Sequence, residues 1–276
     1  MGCEMVSLLV DVAKNQLLGV PGVRVLQQRR RRRKTRGGDE NQPKYARDVH
    51  GYVRRDLSLF HPLTGTLLEI GPGGNLGVAA LFVKNGMDRA TCIDIVPWET
   101  VDPSFYAELD VADVLDRVDY LWPVPIEATP FEGGSFDVVV SYACFEHFRD
   151  PEAAIREIAR LLKPGGVTGH VIDMRDHRDF DDPFDFLRYP DWLWKLATNR
   201  RPFYTNRWRL YDFEDAFRRA GLDIVDVRVD RTARVGHRQK RRFRSRWRDM
   251  RRVDLEPTVV WLAAVKPDTV HGRTST

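Results

Sequence analysis

The chain has 276 residues, 42% hydrophobic and 30% charged, which reads as a soluble globular protein large enough for one substantial core. No apolar run approaches the roughly 20 residues that span a bilayer. The first 20 residues lack a basic n-region and carry acids, so neither a membrane span nor a signal peptide is expected. Three cysteines, Cys3, Cys92 and Cys144, stand far apart without a CxxC pair, which fits a reducing cytoplasm and no zinc site or disulfide framework. The net charge of +4 is uneven. Residues 27–36 hold seven Lys/Arg and no acid, residues 238–252 hold nine against one acid, and the remainder is net acidic. The first stretch reads as a solvated arm, or a contact for an anionic partner.

In chain order, 1–26 is a weakly amphipathic lead-in, 27–43 is a basic linker ending in Pro43, and one domain is expected over 44–267. A helical pattern runs from Tyr45 to Phe60. TLLEI (66–70) is the first strand, LGVAALFVKNG (76–86) a helix closed by Gly86, and ATCIDI (90–95) the second strand. A polar stretch around Asp110, Asp113 and Asp116 carries a short helix. FDVVVSY (136–142) is a strand whose continuous apolar run marks burial on both faces. DPEAAIREIARLL (150–162) is a helix with Asp150 as N-cap and Pro151 at N1. VTGHVIDM (167–174) is a strand, 183–208 is aromatic and irregular, and 212–221 is a helix. Residues 222–230 and 257–267 form a last strand pair around the basic insertion at 236–252. Its Phe243 and Trp247, at i and i+4, predict a helix with one apolar stripe on a basic surface. The tail 268–276 reads as disordered. Alternating strands and helices predict an α/β fold: a single Rossmann-like doubly wound sheet, mostly parallel with an antiparallel last strand, and helices on both faces.

The chemistry concentrates at LLEIGPGGN (67–75). A strand feeds a glycine turn that opens a helix, with Gly71 making the bend and Gly73 letting backbone amides approach a ligand. A dinucleotide fingerprint needs a third glycine at position 76, where Leu76 stands, which argues against a pyrophosphate. Glu69, two residues before the first glycine, suits a cationic or amino-bearing ligand. Asp94 closes the next strand, where a carboxylate can accept both hydroxyls of a ribose.

With these residues, and with IEATPFEGGSFDVVVS (126–141), FEHFRDP (145–151) and EIARLLKPGG (157–166), the chain resembles the class I S-adenosylmethionine-dependent methyltransferases from about residue 65 to 174. The resemblance implies a roster of cofactor contacts. Glu69, Gly71, Pro72 and Gly73 would border the methionine part of S-adenosylmethionine, Asp94 the ribose, and Ile95 the adenine. Ile126 and Glu127 would lie in the adenine loop, with Ser141 and Tyr142 beside the sulfonium. The family often has an Asp against the adenine amino group, and Pro125 stands there instead. Methyl transfer to a small acceptor is the implied reaction, and RNA methylation and non-catalytic cofactor binding are the alternatives. No DPPY- or NPPF-like motif follows the fourth strand, which disfavours nucleic acid, although the two basic stretches keep it open.

An oxygen acceptor must lose a proton, and His147, beyond the fourth strand, is placed to take it. Asp173, Asp176 and His177 close the following strand. They read as a base-and-orienter pair, with Asp173 and His177 catalytic, as a divalent-metal (Mg) site, or as a polar rim. Tyr204, Asn206 and Arg207 in YTNRWR resemble a block of bacterial methyltransferases acting on sugars or glycans, which implies acceptor contacts within 175–211. The basic insertion lies where this fold often builds a substrate lid and reads as a contact for a phosphorylated or acidic acceptor, for RNA or for a partner; a homodimer is a separate expectation.

Overall fold

The computed structural model describes residues 2–20, 22–23, 41–97, 103–200 and 205–268. The basic stretch 27–36, Tyr204 and the tail from 269 lie outside them. Seven strands form one sheet: β1 (Thr66–Ile70), β2 (Arg89–Ile93), β3 (Val118–Leu121), β4 (Phe136–Tyr142), β5 (Leu162–Asp173), β6 (Asp223–Thr232) and β7 (Pro257–Val265), in the order β3-β2-β1-β4-β5-β7-β6. The first five are mutually parallel, and β7 runs antiparallel to both neighbours. This is the expected fold class. β3 (VDYL) was not foreseen, because four residues with alternating burial give an edge strand little apolar signal.

The chain lays β1 in the middle and then sends β2 and β4 to opposite sides of it, so a crevice opens beyond their carboxyl ends. One face of the sheet, with Leu67, Val138 and Val140, is covered by α2 (Pro43–Leu57) and α3 (Gly77–Lys84). The other, with Leu68, Val139 and Ile172, is covered by α5 (Pro151–Leu161) and α7 (Leu210–Arg219). A short α4 (Pro103–Glu108) lies between β2 and β3 in sequence. Asp150 caps α5 as expected, accepting the Ala153 N–H at 2.9 Å.

A third cluster sits apart from the two sheet faces. Phe184, Phe186, Leu187, Tyr189 and Trp194 pack with Val235, Phe243, Trp247 and Leu255. The insertion is three short helices, α8 (His237–Lys240), α9 (Ser245–Arg248) and α10 (Arg252–Leu255), rather than the single amphipathic helix expected. Extended backbone at Gly236, Arg244 and Arg251 interrupts it. Phe243 and Trp247 therefore form the core of this lobe instead of an exposed stripe. The lead-in joins the same lobe: α1 (Gly2–Leu17) lies along α6 (Asp191–Thr198). Asn15 there donates to the Leu196 carbonyl at 2.8 Å, and Arg178 pairs with Asp11.

Candidate active site

At the end of β1 the backbone turns at Gly71, whose φ of +69° is a left-handed conformation that glycine adopts without cost. A Cβ there would sit 2.6 Å from the Cys144 sulfur, so the residue must be glycine on steric grounds as well. Its N–H donates to the Ile93 carbonyl at 2.9 Å, tying the turn to β2. Gly73, at φ +71°, faces open space. Asn75 accepts the Gly77 N–H at 2.9 Å and so helps to start α3. Asn41 lies over Gly74, and Tyr45 on α2 meets Tyr142 edge-on at 6.1 Å, so the segment leading into α2 closes over the loop. That cover comes from residues far from the loop in sequence, and nothing local announces it.

Two carboxyls flank the turn. Glu69 is buried, with its Oε2 accepting the Cys92 thiol at 3.7 Å, and burial pushes it up to about 7. Asp94, past the end of β2, accepts the Val96 N–H at 3.0 Å, and burial pushes it up to about 6. Neither has a cation in its hydrogen-bonding partners among the described residues, the arrangement of a site that waits for one or for a set of hydroxyl donors. Ile95 beside Asp94 is 54% exposed, an apolar face left open at the crevice. Ile126 is buried at the start of a short 3-10 turn, Ile126–Ala128, with Glu127 half-buried beside it, and Pro72 is half-buried in the glycine turn.

Ser141 departs from the expectation. Its hydroxyl turns away into the sheet's other face, 2.8 Å from Nδ1 of the fully buried His170. His170 Nε2 lies 2.5 Å from the Thr168 hydroxyl, which itself donates to the Val139 carbonyl at 3.0 Å. Because Thr168 spends its proton on Val139, His170 carries its proton on Nε2 and accepts the Ser141 hydroxyl at Nδ1. Burial holds this imidazole down at about 3, neutral at all ordinary pH.

His147 ends a 3-10 turn, Phe145–His147, directly after β4. Its ring meets that of His177 edge-on at 5.0 Å between centroids, and His177 Nε2 lies 3.7 Å from an Asp173 oxygen. The structure therefore gathers the three expected catalytic residues in one place. Asp173 is itself clamped by Arg175 at 2.8 and 2.5 Å; burial alone would raise its carboxyl, but these bonds and the nearby His177 hold it well below the usual range. Glu146 beneath it is buried and pushed well above the usual carboxylate range, one oxygen accepting the Asp173 N–H at 3.4 Å. The metal reading is not supported. Asp176 is wholly buried and bound by Arg178 at 2.6 Å, and among the described residues no three His, Cys, Asp or Glu side chains form a ligand set.

The YTNRWR block is also revised. Asn206 is buried and donates to the Phe145 and Phe148 carbonyls at 2.8 and 3.3 Å, while its Oδ1 accepts the Trp208 N–H at 3.2 Å. It braces the turn that carries His147. Arg207 donates to the Phe186 and Tyr189 carbonyls, pairs with Asp191 and lies 4.6 Å over the Trp247 ring. Asn206 thus ties its segment to the turn after β4, and Arg207 ties the same segment to the third cluster. Arg209, missed in the sequence, is fully buried and binds the Met174, Leu255 and Pro257 carbonyls, with burial pressing its guanidinium down to about 9. Replacing Asn206 by Ala leaves two carbonyls without this donor, at about 1–3 kcal/mol for the buried groups. Urea unfolding should show a loss of about 2 kcal/mol, together with lower turnover through the loosened His147 turn.

Residues 68–168 match the methyltransferase domain family. The ubiquinone biosynthesis O-methyltransferase of Xanthomonas oryzae pv. oryzae is 37% identical over 100 residues, 36% of this chain and 39% of the relative. A highly reducing polyketide synthase of Emericella nidulans is 28% identical over 156 residues, 51% of this chain and 6% of that protein. The chain thus spans about two fifths, or less, of the length of these curated relatives. Among solved structures, a geranyl diphosphate methyltransferase in complex with SAM superposes with a TM-score of 0.52 at 17% identity, covering 90% of this chain and 93% of that one. The 4+2 cyclase SpnF gives 0.50 at 21% identity and 82% of each chain. These two likenesses concern the fold, and fold alone does not fix chemistry. The family match falls on the glycine turn, the two flanking carboxyls and the strands that carry them, so residues 68–168 are similar to a methyltransferase domain.

Proposed function

We propose that this protein transfers a methyl group from S-adenosylmethionine to an oxygen of a small hydroxylated acceptor. The observation that carries the reading is the crevice between β1, β2 and β4, with a glycine turn, two carboxyls raised by burial and an exposed Ile95 around it. Glu69 faces the amino end of the cofactor, Asp94 accepts from its ribose hydroxyls, and Ile95 with Ile126 and Glu127 borders the adenine. Gly71, Pro72 and Gly73 keep side chains out of the space between. When bound, the cofactor supplies a methyl group on a positively charged sulfur. The protein aligns the acceptor with it and takes the acceptor's proton at His147. Relatives named as O-methyltransferases favour an oxygen acceptor. A sugar or glycan acceptor loses two of its three expected contacts, since Asn206 and Arg207 are spent inside the protein. The test is release of S-adenosylhomocysteine across phenols, sugars, glycans and RNA, with and without magnesium. Tight cofactor binding with no turnover on any of them would instead support a non-catalytic binder.

Glu69 makes this reading testable by protons. Its carboxyl is raised from the usual 4.5 to about 7, so the fold favours the neutral acid, and stability from this group is lost as pH rises from about 4.5 to about 7. A bound cation reverses the preference. Cofactor binding near pH 7 should therefore release part of a proton, seen as a calorimetric heat that differs between buffers of unlike ionisation enthalpy. Glu69→Gln should abolish that difference. A buffer-independent heat in the wild type would remove Glu69 from the cofactor site.

A further inference from the structure

Arg178 follows His177 directly, and its guanidinium joins three carboxylates from separate parts of the chain. Its Nε and Nη2 donate to the wholly buried Asp176 at 3.0 and 2.6 Å, Nη2 also to Asp185 at 3.0 Å, and Nη1 to Asp11 of α1 at 3.4 Å. The guanidinium lies 4.9 Å over the Trp194 ring of α6 and 5.3 Å over that of Tyr189. Asp176 and Asp185 stand at the two ends of one loop, and the Asp176 N–H closes it further by donating to the Pro183 carbonyl at 3.0 Å. Gln239 of α8 adds one neutral bond, to Asp182 at 2.7 Å. His177 lies inside this loop and has no tie of that strength. Its Nε2 finds no hydrogen-bond partner among the described residues, since the Asp173 oxygen at 3.7 Å is too far. The place of its ring against His147 is therefore set by the loop backbone, and the loop backbone is set by Arg178.

We propose that Arg178 is a positioning residue for methyl transfer: by locking the 176–185 loop it holds His177 against His147, and through Asp11 the first helix takes part in the catalytic arrangement. The proposal rests on His147 as the base. Asp173, His177 and His147 must stay in line for the carboxylate to orient the base, and a displacement of about 1 Å in such a chain can cost roughly a hundredfold in rate. Helix α1 can supply the third carboxylate because it is docked by its own inner side. Val12 packs on the third cluster, Leu18 is buried, and Asn15 donates to the Leu196 carbonyl and accepts the Arg200 N–H at 3.1 Å. Lysine would not replace the arginine: a single ammonium meets one or two of these carboxylates, where the planar fork meets all three.

In the full chain, Arg178→Lys should lower kcat by roughly tenfold to a hundredfold on a phenol acceptor and leave KM for S-adenosylmethionine unchanged. Asp11→Ala should fall in the same direction by less, and Asp11→Glu should recover most of the loss. Asp11 is the outermost of the three carboxylates, so this pair tests the same link even where Arg178→Lys fails to fold. With His177 already replaced by Ala, Arg178→Lys should add no further loss, because a residue that acts through the His177 ring then has nothing to hold. A second readout needs no turnover. The nuclear Overhauser contact between the His147 and His177 rings, 5.0 Å apart at their centroids, should vanish in Arg178→Lys and weaken in Asp11→Ala. A retained ring contact, or an equally large loss of kcat in the His177→Ala background, overturns the proposal. Unchanged kcat and ring contact in Asp11→Ala would remove α1 from it. A wild type that transfers no methyl group to any acceptor would overturn the reading on which the proposal rests, while the ring contact would still decide whether Arg178 holds His177.

Discussion

Asp94→Ala should abolish measurable binding of S-adenosylmethionine. The carboxylate would accept two hydroxyl donors from one ribose, and a hydrogen bond to a charged group contributes about 1.5–3 kcal/mol. Losing both corresponds to roughly a hundredfold to ten-thousandfold in affinity. Asp94→Asn keeps the shape and one acceptor oxygen, and should fall between the two. Because burial raises this carboxyl to about 6, wild-type affinity should also decline as pH falls through that value, where the neutral acid loses acceptor capacity. The same shift has a structural sign. A raised carboxyl favours folding in its neutral form, so its stabilising contribution is complete below about 3.8 and is lost as pH rises through about 6. The apo Asp94→Asn protein should therefore be more stable than wild type at pH 8, while binding the cofactor worse. Unchanged affinity by calorimetry would remove Asp94 from the site. Unchanged stability at pH 8 would show that its burial carries no cost to be offset by a ligand.

What could be read in advance divides by the range of the physical signal. The turn at Gly71 and Gly73 was legible because it needs left-handed backbone and an empty space, and both requirements are written in adjacent residues. The strand leading to Asp94 and the capped helix after Asp150 were legible for the same reason. Asn206 and Arg207 were expected at an acceptor and have carbonyls at 145, 148, 186 and 189 as partners, because no local pattern separates a polar side chain reaching a ligand from one bracing a distant loop. The same holds for Arg209, which joins three carbonyls from Met174, Leu255 and Pro257, and for His170, whose partners lie on its own strand and the next. The insertion shows a different failure. Phe243 and Trp247 have helical spacing, yet Phe243 lies in a turn and Trp247 in α9, so the spacing was a coincidence of two elements converging on one core.

The second large effect concerns His147. Its replacement by Ala should lower kcat by roughly a hundredfold to ten-thousandfold, the usual contribution of a positioned general base, and leave cofactor affinity unchanged. The reasoning is geometric. Among the three residues gathered at the carboxyl end of β4 and β5, Asp173 is held ionised by Arg175, and His177 stands between that charge and the His147 ring. His147 lies at the end of the chain of three, on the turn that Asn206 fixes from behind. A base also leaves a signature that a purely structural residue would not. With an acceptor hydroxyl that ionises in an accessible range, such as a phenol, the activity of the Ala variant should recover as pH rises, since the acceptor then arrives without its proton. With an alcohol it should stay low at every pH. His177→Ala should give a smaller loss and shift the pH profile, because it removes the link to Asp173 and leaves the base in place. If the His147→Ala protein turned over at the wild-type rate on a phenol and an alcohol alike, the proton would have to leave by another route, and Glu146, buried and raised directly under Asp173, would be the next residue to change.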